Sequence, residues 1–168
     1  MKLASALVCL AGLCVFGADV AGGADAPKNL LKPTNKVESW RLEQNETGKG
    51  SVKVDGETAI FTVTEVSGTD WHVQAVQADL ELVEGKEYTL TFQAKADSAR
   101  SIGINAMIDQ EDWHQIGLGE EPFLGKEFDT YKFTFRAENV ASKKNRISVV
   151  LGGSKGTVTI KGMTLTGP

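Results

Sequence analysis

Residues 88 to 96 read Tyr88-Thr89-Leu90-Thr91-Phe92-Gln93-Ala94-Lys95-Ala96. Leu90, Phe92 and Ala94 share one parity, while Thr89, Thr91, Gln93 and Lys95 share the other. That period of two belongs to a strand with one face in a core and one in water. A turn signal, Glu84-Gly85-Lys86, precedes it. Upstream, Ser51 to Val54 turns through Asp55-Gly56 into Ala59 to Val66, where Ile60, Thr62 and Thr64 alternate with Phe61 and Val63. Downstream, Ile102, Ile104, Ala106 and Ile108 face in against Gly103, Asn105 and Met107. Tyr131, Phe133 and Phe135 form another inner row, followed by Ile147, Val149 and Leu151. Val158 and Ile160, with Met163 or Leu165, close the chain. No stretch sustains a helical period. About nine short strands at this spacing imply an all-β, antiparallel β-sandwich, with a jelly roll as the expected arrangement.

The chain of 168 residues is long enough for one domain with a real core. Its 18 glycines and many valines and threonines agree with an all-β fold. A formal net charge of −4 disfavours nucleic acid and anionic membrane as partners, because both require basic patches. At the N-terminus Lys2 precedes an apolar run from Leu3 to Phe16, and small residues follow from Gly17 to Ala26. This is the pattern of an export signal, too short for a membrane span of ~20 residues. Residues 1–24 are therefore expected to be a signal peptide, cleaved between residues 18 and 26. The expected location is secreted, periplasmic or at the cell surface. Lipoprotein processing at Cys14 fits poorly, since bulky Leu13 precedes it. Both cysteines, Cys9 and Cys14, lie in this leader, so residues 28–168 are expected to form one domain without disulfide or thiol chemistry.

The stretch Trp71-His72-Val73-Gln74-Ala75-Val76-Gln77 carries the chemistry. Val73 and Ala75 suit a core face, which puts His72 and Gln74 on the outer one. Two readings of Trp71 stand. Strict alternation from Val73 places it at the rim of the core, where aromatics usually bury their area. A position on the preceding loop, Gly68-Thr69-Asp70, leaves it open to a ligand instead. Trp113, within Asp109-Gln110-Glu111-Asp112-Trp113-His114-Gln115, has polar neighbours that suggest an exposed loop. Trp40 is assigned to the core between Val37 and Leu42. The acidic groups Asp109, Glu111, Asp112, Glu120 and Glu121 read as solvated loop charge.

In order along the chain, several stretches resemble a known family: Asn29-Leu30-Leu31, Trp40, residues 68–77, residues 85–96, Tyr131-Lys132-Phe133-Thr134-Phe135, and residues 151–165. They are similar to the jelly-roll carbohydrate-binding modules appended to bacterial glycanases, the group that includes families 4, 9 and 22. The resemblance implies a concave sheet that binds a glycan without cleaving it, a β-glucan or xylan chain held by stacking on Trp71 and Trp113. Gln74 matches a polar floor position three residues after the first aromatic. His72, Gln93, Asn105 and Gln115 are further candidates to hydrogen-bond the sugar. The axial C–H face of a pyranose packs on an indole, while its equatorial hydroxyls seek amides and imidazoles. The implied partner is a polysaccharide or oligosaccharide, and the implied state is a monomer. The resemblance also implies a structural calcium between the chain's start and end. Lys161 stands where the closing strand should supply an aspartate, so the calcium site is expected to be lost and no cofactor is expected.

Two other classes compete. A jelly-roll glycanase would carry a Glu-x-Asp-x-x-Glu strand motif with paired carboxylates, and none occurs. No Gly-x-Ser-x-Gly elbow or phosphate-cradling loop occurs either, so no enzyme is expected. Two histidines without carboxylates at ligand spacing do not make a zinc site. The remaining alternative is a secreted structural or adhesive sandwich that has lost sugar binding. Exposure separates the two: binding needs Trp71 and Trp113 open along one groove, whereas the structural alternative buries them.

Overall fold

Alternating apolar side chains need a second layer to bury them, and this chain supplies that layer from itself. The computed structural model describes residues 27–168, so the expected signal peptide with Cys9 and Cys14 lies outside the described residues. Twelve strands form among the described residues. They are β1 (Arg41–Gln44), β2 (Lys49–Asp55), β3 (Thr58–Glu65), β4 (Val73–Leu80), β5 (Glu87–Ala96) and β6 (Arg100–Ser101). The second half adds β7 (Gly103–Ile108), β8 (Gln115–Glu120), β9 (Phe123–Leu124), β10 (Asp129–Arg136), β11 (Asn145–Val150) and β12 (Gly156–Thr166). Two antiparallel five-stranded sheets result, in the orders β1-β4-β11-β7-β8 and β10-β5-β12-β3-β2, with β6-β9 as a short extra pair. Packed face to face, they make a jelly-roll sandwich.

The expected inner rows meet in its middle. Phe61, Leu90, Phe92, Ile104, Ile147 and Ile160 are all but inaccessible to solvent. Along β5, Tyr88, Leu90, Phe92, Ala94 and Ala96 are buried while Gln93 is exposed. Trp40 is buried as expected. Its ring stands edge-on to Phe61 at 5.0 Å, and its indole N–H donates to the Thr34 carbonyl at 2.9 Å. Tyr131 and Phe133 are only half-buried, because β10 is the edge of its sheet.

The sequence pattern missed β1 and β8, and with them the two-residue β6 and β9. The span Gln115–Glu120 offers only Ile116 and Leu118 as apolar residues, interleaved with Gly117 and Gly119, which weaken any strand signal. Gly117 is required there: its φ is 113°, and a Cβ would run into the Arg136 carbonyl. Met163 and Leu165 both join the core, together with Ile160. A bulge between Lys161 and Thr164, with Gly162 at φ 61°, resets the parity of β12. Side chains from the chain's start close that bulge. Thr34 Oγ1 accepts from the Met163 N–H at 2.9 Å, and Asn29 Oδ1 accepts from the Leu165 N–H at 2.9 Å. Gln77, on the core parity of β4, is buried and accepts from the Lys32 N–H at 2.8 Å. Residues 29–34 therefore bridge the two sheets.

Phe92→Ala should remove about 3–5 kcal/mol of stability, the usual cost of emptying a core aromatic site. Gln93→Ala, one residue away on the wet face, should change it by about 0.5 kcal/mol or less. Urea unfolding of the two variants checks the assignment of faces.

Candidate functional site

One face of the β1-β4-β11-β7-β8 sheet lies against the core, and the other is paved in three cross-strand rows. The first row runs Glu43, Gln74, Val150, Gly103. The second runs Arg41, Val76, Ser148, Asn105, Gly119. The third pairs Arg146 with Met107 and Met107 with Gln115. Gln74, Val76, Ser148 and Val150 are buried although they face away from the core, since rims rise on either side of them. The trough between those rims encloses about 880 Å³, and Trp71, Gln74, Asn105, Trp113 and Gln115 all line it.

The first rim carries Trp71. A single 3-10 turn, Asp70–His72, precedes β4 and breaks its alternation, so the indole leaves the core parity. It is 51% exposed, which excludes the rim-of-core reading. Backbone contacts hold this turn. The Gly152 N–H donates to the Asp70 carbonyl at 2.9 Å, and a Cβ on Gly152 would strike that oxygen. Buried Arg100 fastens the adjoining turn by donating to the Leu151 and Ser154 carbonyls at 2.7 and 2.6 Å.

The opposite rim carries Trp113, in the β7–β8 connection, a residue that is 47% exposed. Asp112 and Trp113 are both left-handed, at φ 88° and 48°. The guanidinium carbon of Arg146 lies 4.9 Å from the Trp113 ring centroid, within range of a cation–π contact. Trp71 flanks the Gln74–Val150 row and Trp113 flanks the Arg146–Met107 row. The trough therefore runs across the strands, with one indole on each bank.

A charge quartet underlies the Trp113 end. Arg146, almost wholly buried, donates to both Glu43 oxygens at 3.1 Å and reaches Asp109 Oδ1 at 3.5 Å. Arg41 donates to Asp109 at 2.6 and 3.0 Å and to Glu43 at 2.7 and 3.0 Å. Its hydrogen bonds hold the Asp109 carboxyl below the usual carboxylate range, and Asp109 in turn raises Arg41. Asp109 is thus an ion-pair member, which corrects its reading as solvated loop charge. Its partners were invisible to sequence reasoning because they lie far along the chain.

Five of the seven expected site residues line one trough: Trp71, Gln74, Asn105, Trp113 and Gln115. Gln115 Nε2 donates to Asn105 Oδ1 at 2.8 Å, which orients both amides. Two residues lie elsewhere. Gln93 projects from β5, on the outer face of the opposite sheet, so it cannot extend this floor. His72 belongs to the 3-10 turn rather than to the strand. Its Nδ1 is 2.7 Å from the Ser67 hydroxyl, and its ring buttresses Trp71 edge-on at 4.1 Å. Glu43, Gln44, Asn45, Asp70, Met107 and Arg146 also line the trough and were not expected there.

The residues at the junction of the chain's two ends do not fit a calcium ion. The Asn29 and Thr34 oxygens are occupied by backbone N–H groups, and Lys161 directs its ammonium over the Phe128 ring at 4.3 Å. No group of three or more acidic, histidine or cysteine side chains gathers for a metal among the described residues.

With this geometry in place, the relationships are clear. Residues 32–158 match the family model for carbohydrate binding domains of families 4 and 9, and the chain belongs to that family. No curated protein matches it in sequence. Among solved structures it is similar to a CBM4 domain at 24% identity and TM-score 0.70, covering 86% of this chain and 96% of that one. It is similar to the N-terminal cellulose-binding domain of Cellulomonas fimi β-1,4-glucanase C at 19% identity and TM-score 0.65, covering 85% and 97%. It also resembles the family 11 module of Clostridium thermocellum, solved with a β-1,3-1,4-mixed-linked tetrasaccharide, at 15% identity and TM-score 0.60, covering 86% and 98%. At these identities the likeness extends to the jelly-roll fold.

Two outcomes follow for the site's supports. The melting temperature of the domain should be the same in calcium and in EDTA, while Thr34→Val should cost about 1–3 kcal/mol by leaving the buried Met163 N–H without an acceptor. The depressed Asp109 carboxyl contributes stability that is complete above its unfolded value of about 3.9 and is lost as pH falls through its lower folded value. Asp109→Asn should therefore flatten the acid limb of the stability profile, measured by urea titrations between about pH 2 and 6.

Proposed function

We propose that this domain binds a β-glucan or xylan chain in the trough, without cleaving it. The observation that carries this is the pair of half-exposed indoles, Trp71 and Trp113, on opposite banks of one polar trough. A pyranose ring entering there stacks its C–H face on an indole, and its hydroxyls meet Gln74, Asn105 and Gln115. Family membership supports carbohydrate binding, and the mixed-linkage tetrasaccharide held by the family 11 module is a ligand of that chemistry.

The available carboxylates argue against hydrolysis. Glu43 and Asp109 are engaged by guanidinium groups, and Asp109 is held in its charged form, the wrong state for a general acid. Asp70 Oδ1 accepts the N–H of Trp71. The alternative of a structural or adhesive sandwich needed the two rings buried, so their exposure disfavours it. We place the protein outside the cytoplasm as a monomer, exported by the leader in residues 1–24. Whether it is then released, periplasmic or surface-held does not affect the binding reading.

Affinity should be modest, with Kd between about 1 μM and 1 mM, because two stacked rings must outweigh the cost of association. Trp71→Ala and Trp113→Ala should each weaken binding about tenfold or more, equivalent to roughly 1.4 kcal/mol. Affinity gels with xylan and mixed-linkage glucan, and calorimetry with cellulose oligomers, measure this. Unaltered melting temperatures exclude unfolding as the cause. Wild-type binding strength in both variants would overturn the assignment.

A further inference from the structure

Trp113 stands on a turn that its residues do not favour. Left-handed backbone at a non-glycine residue is unfavourable and persists only where surroundings over-determine it. Asp112 and Trp113 adopt it in succession. Arg146 supports the ring from below, and His114 fixes the turn from the side.

The His114 contacts are chemically restrictive. Its Nδ1 is 2.9 Å from an Asp112 carboxylate oxygen, and its Nε2 is 2.9 Å from the Asn139 carbonyl oxygen. Both partners only accept hydrogen bonds. A neutral imidazole has a single N–H, so both contacts are hydrogen bonds only in the imidazolium form. The Asn139 carbonyl first, and Asp112 second, raise His114 above its ordinary range. Asn139 is itself pinned: it is left-handed at φ 56°, and the Glu84 carboxylate accepts from its N–H and from that of Val140, each at 3.1 Å.

The charges around this ring come from three elements. Asp112 belongs to its own turn. Glu138 and Lys144 lie in the segment that supplies the Asn139 carbonyl. Glu84, from the β4–β5 turn, acts through Asn139. Among these, Asp112 is the charge in hydrogen-bond contact with the imidazole.

We infer that His114 is a positioning residue, latching the Trp113 turn to the Asn139 segment as an imidazolium, so that glycan affinity is greatest in mildly acidic solution. The statement about affinity rests on the function proposed above. Because the folded state favours the protonated form, the latch is complete below the ordinary imidazole value of about 6.5. It is released as pH rises through the raised value. Above that, one ring nitrogen turns a lone pair towards an acceptor, and the turn loses a tether.

The test has one arm without ligand and one with it. NMR of the ligand-free domain follows the His114 imidazole and the Trp113 indole N–H through a pH titration, with the latter assigned by Trp113→Phe. The Trp113 signal should shift with the His114 midpoint. Calorimetry with a xylan or β-glucan hexasaccharide should show Kd rising about two- to fivefold across that midpoint, in proportion to the loss of the competent population. His114→Gln should abolish this slope, whereas Gln93→Ala, on the outer face of the opposite sheet, should keep it. A Trp113 signal indifferent to His114, or an unchanged slope in His114→Gln, overturns the latch. A Trp113 signal that follows His114, with no glycan bound at any pH, upholds the latch and overturns the binding reading instead. Should His114→Gln fail to fold, the wild-type titration still decides.

Discussion

An extended chain turns alternate side chains to opposite sides, and burial of one set dictates what the other can do. In the β4-bearing sheet, Val73, Ala75, Ile104, Ile147 and Val149 are committed to the core. Their neighbours in sequence, Gln74, Asn105, Ser148 and Val150, are thereby forced into the floor of the trough. The hydrophobic term that holds the sandwich together also places the Gln74 and Asn105 amides where a ligand can meet them. A one-residue slip in register would send those amides into the core and the aliphatic groups into the trough.

The floor's charges follow a different logic. Four ionised groups gather there, two of each sign. All four carboxylate oxygens and the Arg41 guanidinium are engaged within the set, whereas Arg146 joins it through Nη1 and its buried Nε has no partner among the described residues. Such a set is weak evidence of net stabilisation, because desolvation offsets the attraction. Its structural effect is direct. Arg146 is held by Glu43 and Asp109 beneath the Trp113 ring, so two acidic side chains indirectly support an aromatic surface.

What could be read from sequence was local. The alternation in β5 and in Ile102 to Ile108 survives intact because each inner row depends only on spacing along one strand. Gly117, Gly119 and the short span of β1 hid two strands, since pairing rather than residue type makes them strands. The parity of Trp71 could not be decided from Val73 alone, because a single 3-10 turn intervenes. Gln93 shares its outward parity with Asn105, and parity does not say which sheet a strand joins. The quartet was the least legible feature: Arg41 and Asp109 are separated by 68 positions and Glu43 and Arg146 by 103.

The two banks differ in what their anchors must hold. Trp71 is seated by main-chain hydrogen bonds at a glycine contact, by the buried Arg100 clasp and by side-chain contacts from Asp70 and the His72 ring. Trp113 sits on a turn closed by main-chain bonds from its own N–H to the Gln110 carbonyl and from the Ile108 N–H to the His114 carbonyl, each at 3.1 Å. His114 and Arg146 add side-chain contacts over a backbone of unfavourable conformation. Both banks thus combine main-chain and side-chain anchors, but the Trp113 bank alone has two successive left-handed non-glycine residues to hold in place. Loss of the side-chain contacts at that bank would leave its backbone strain uncompensated, while the turn under Trp71 carries no such strain.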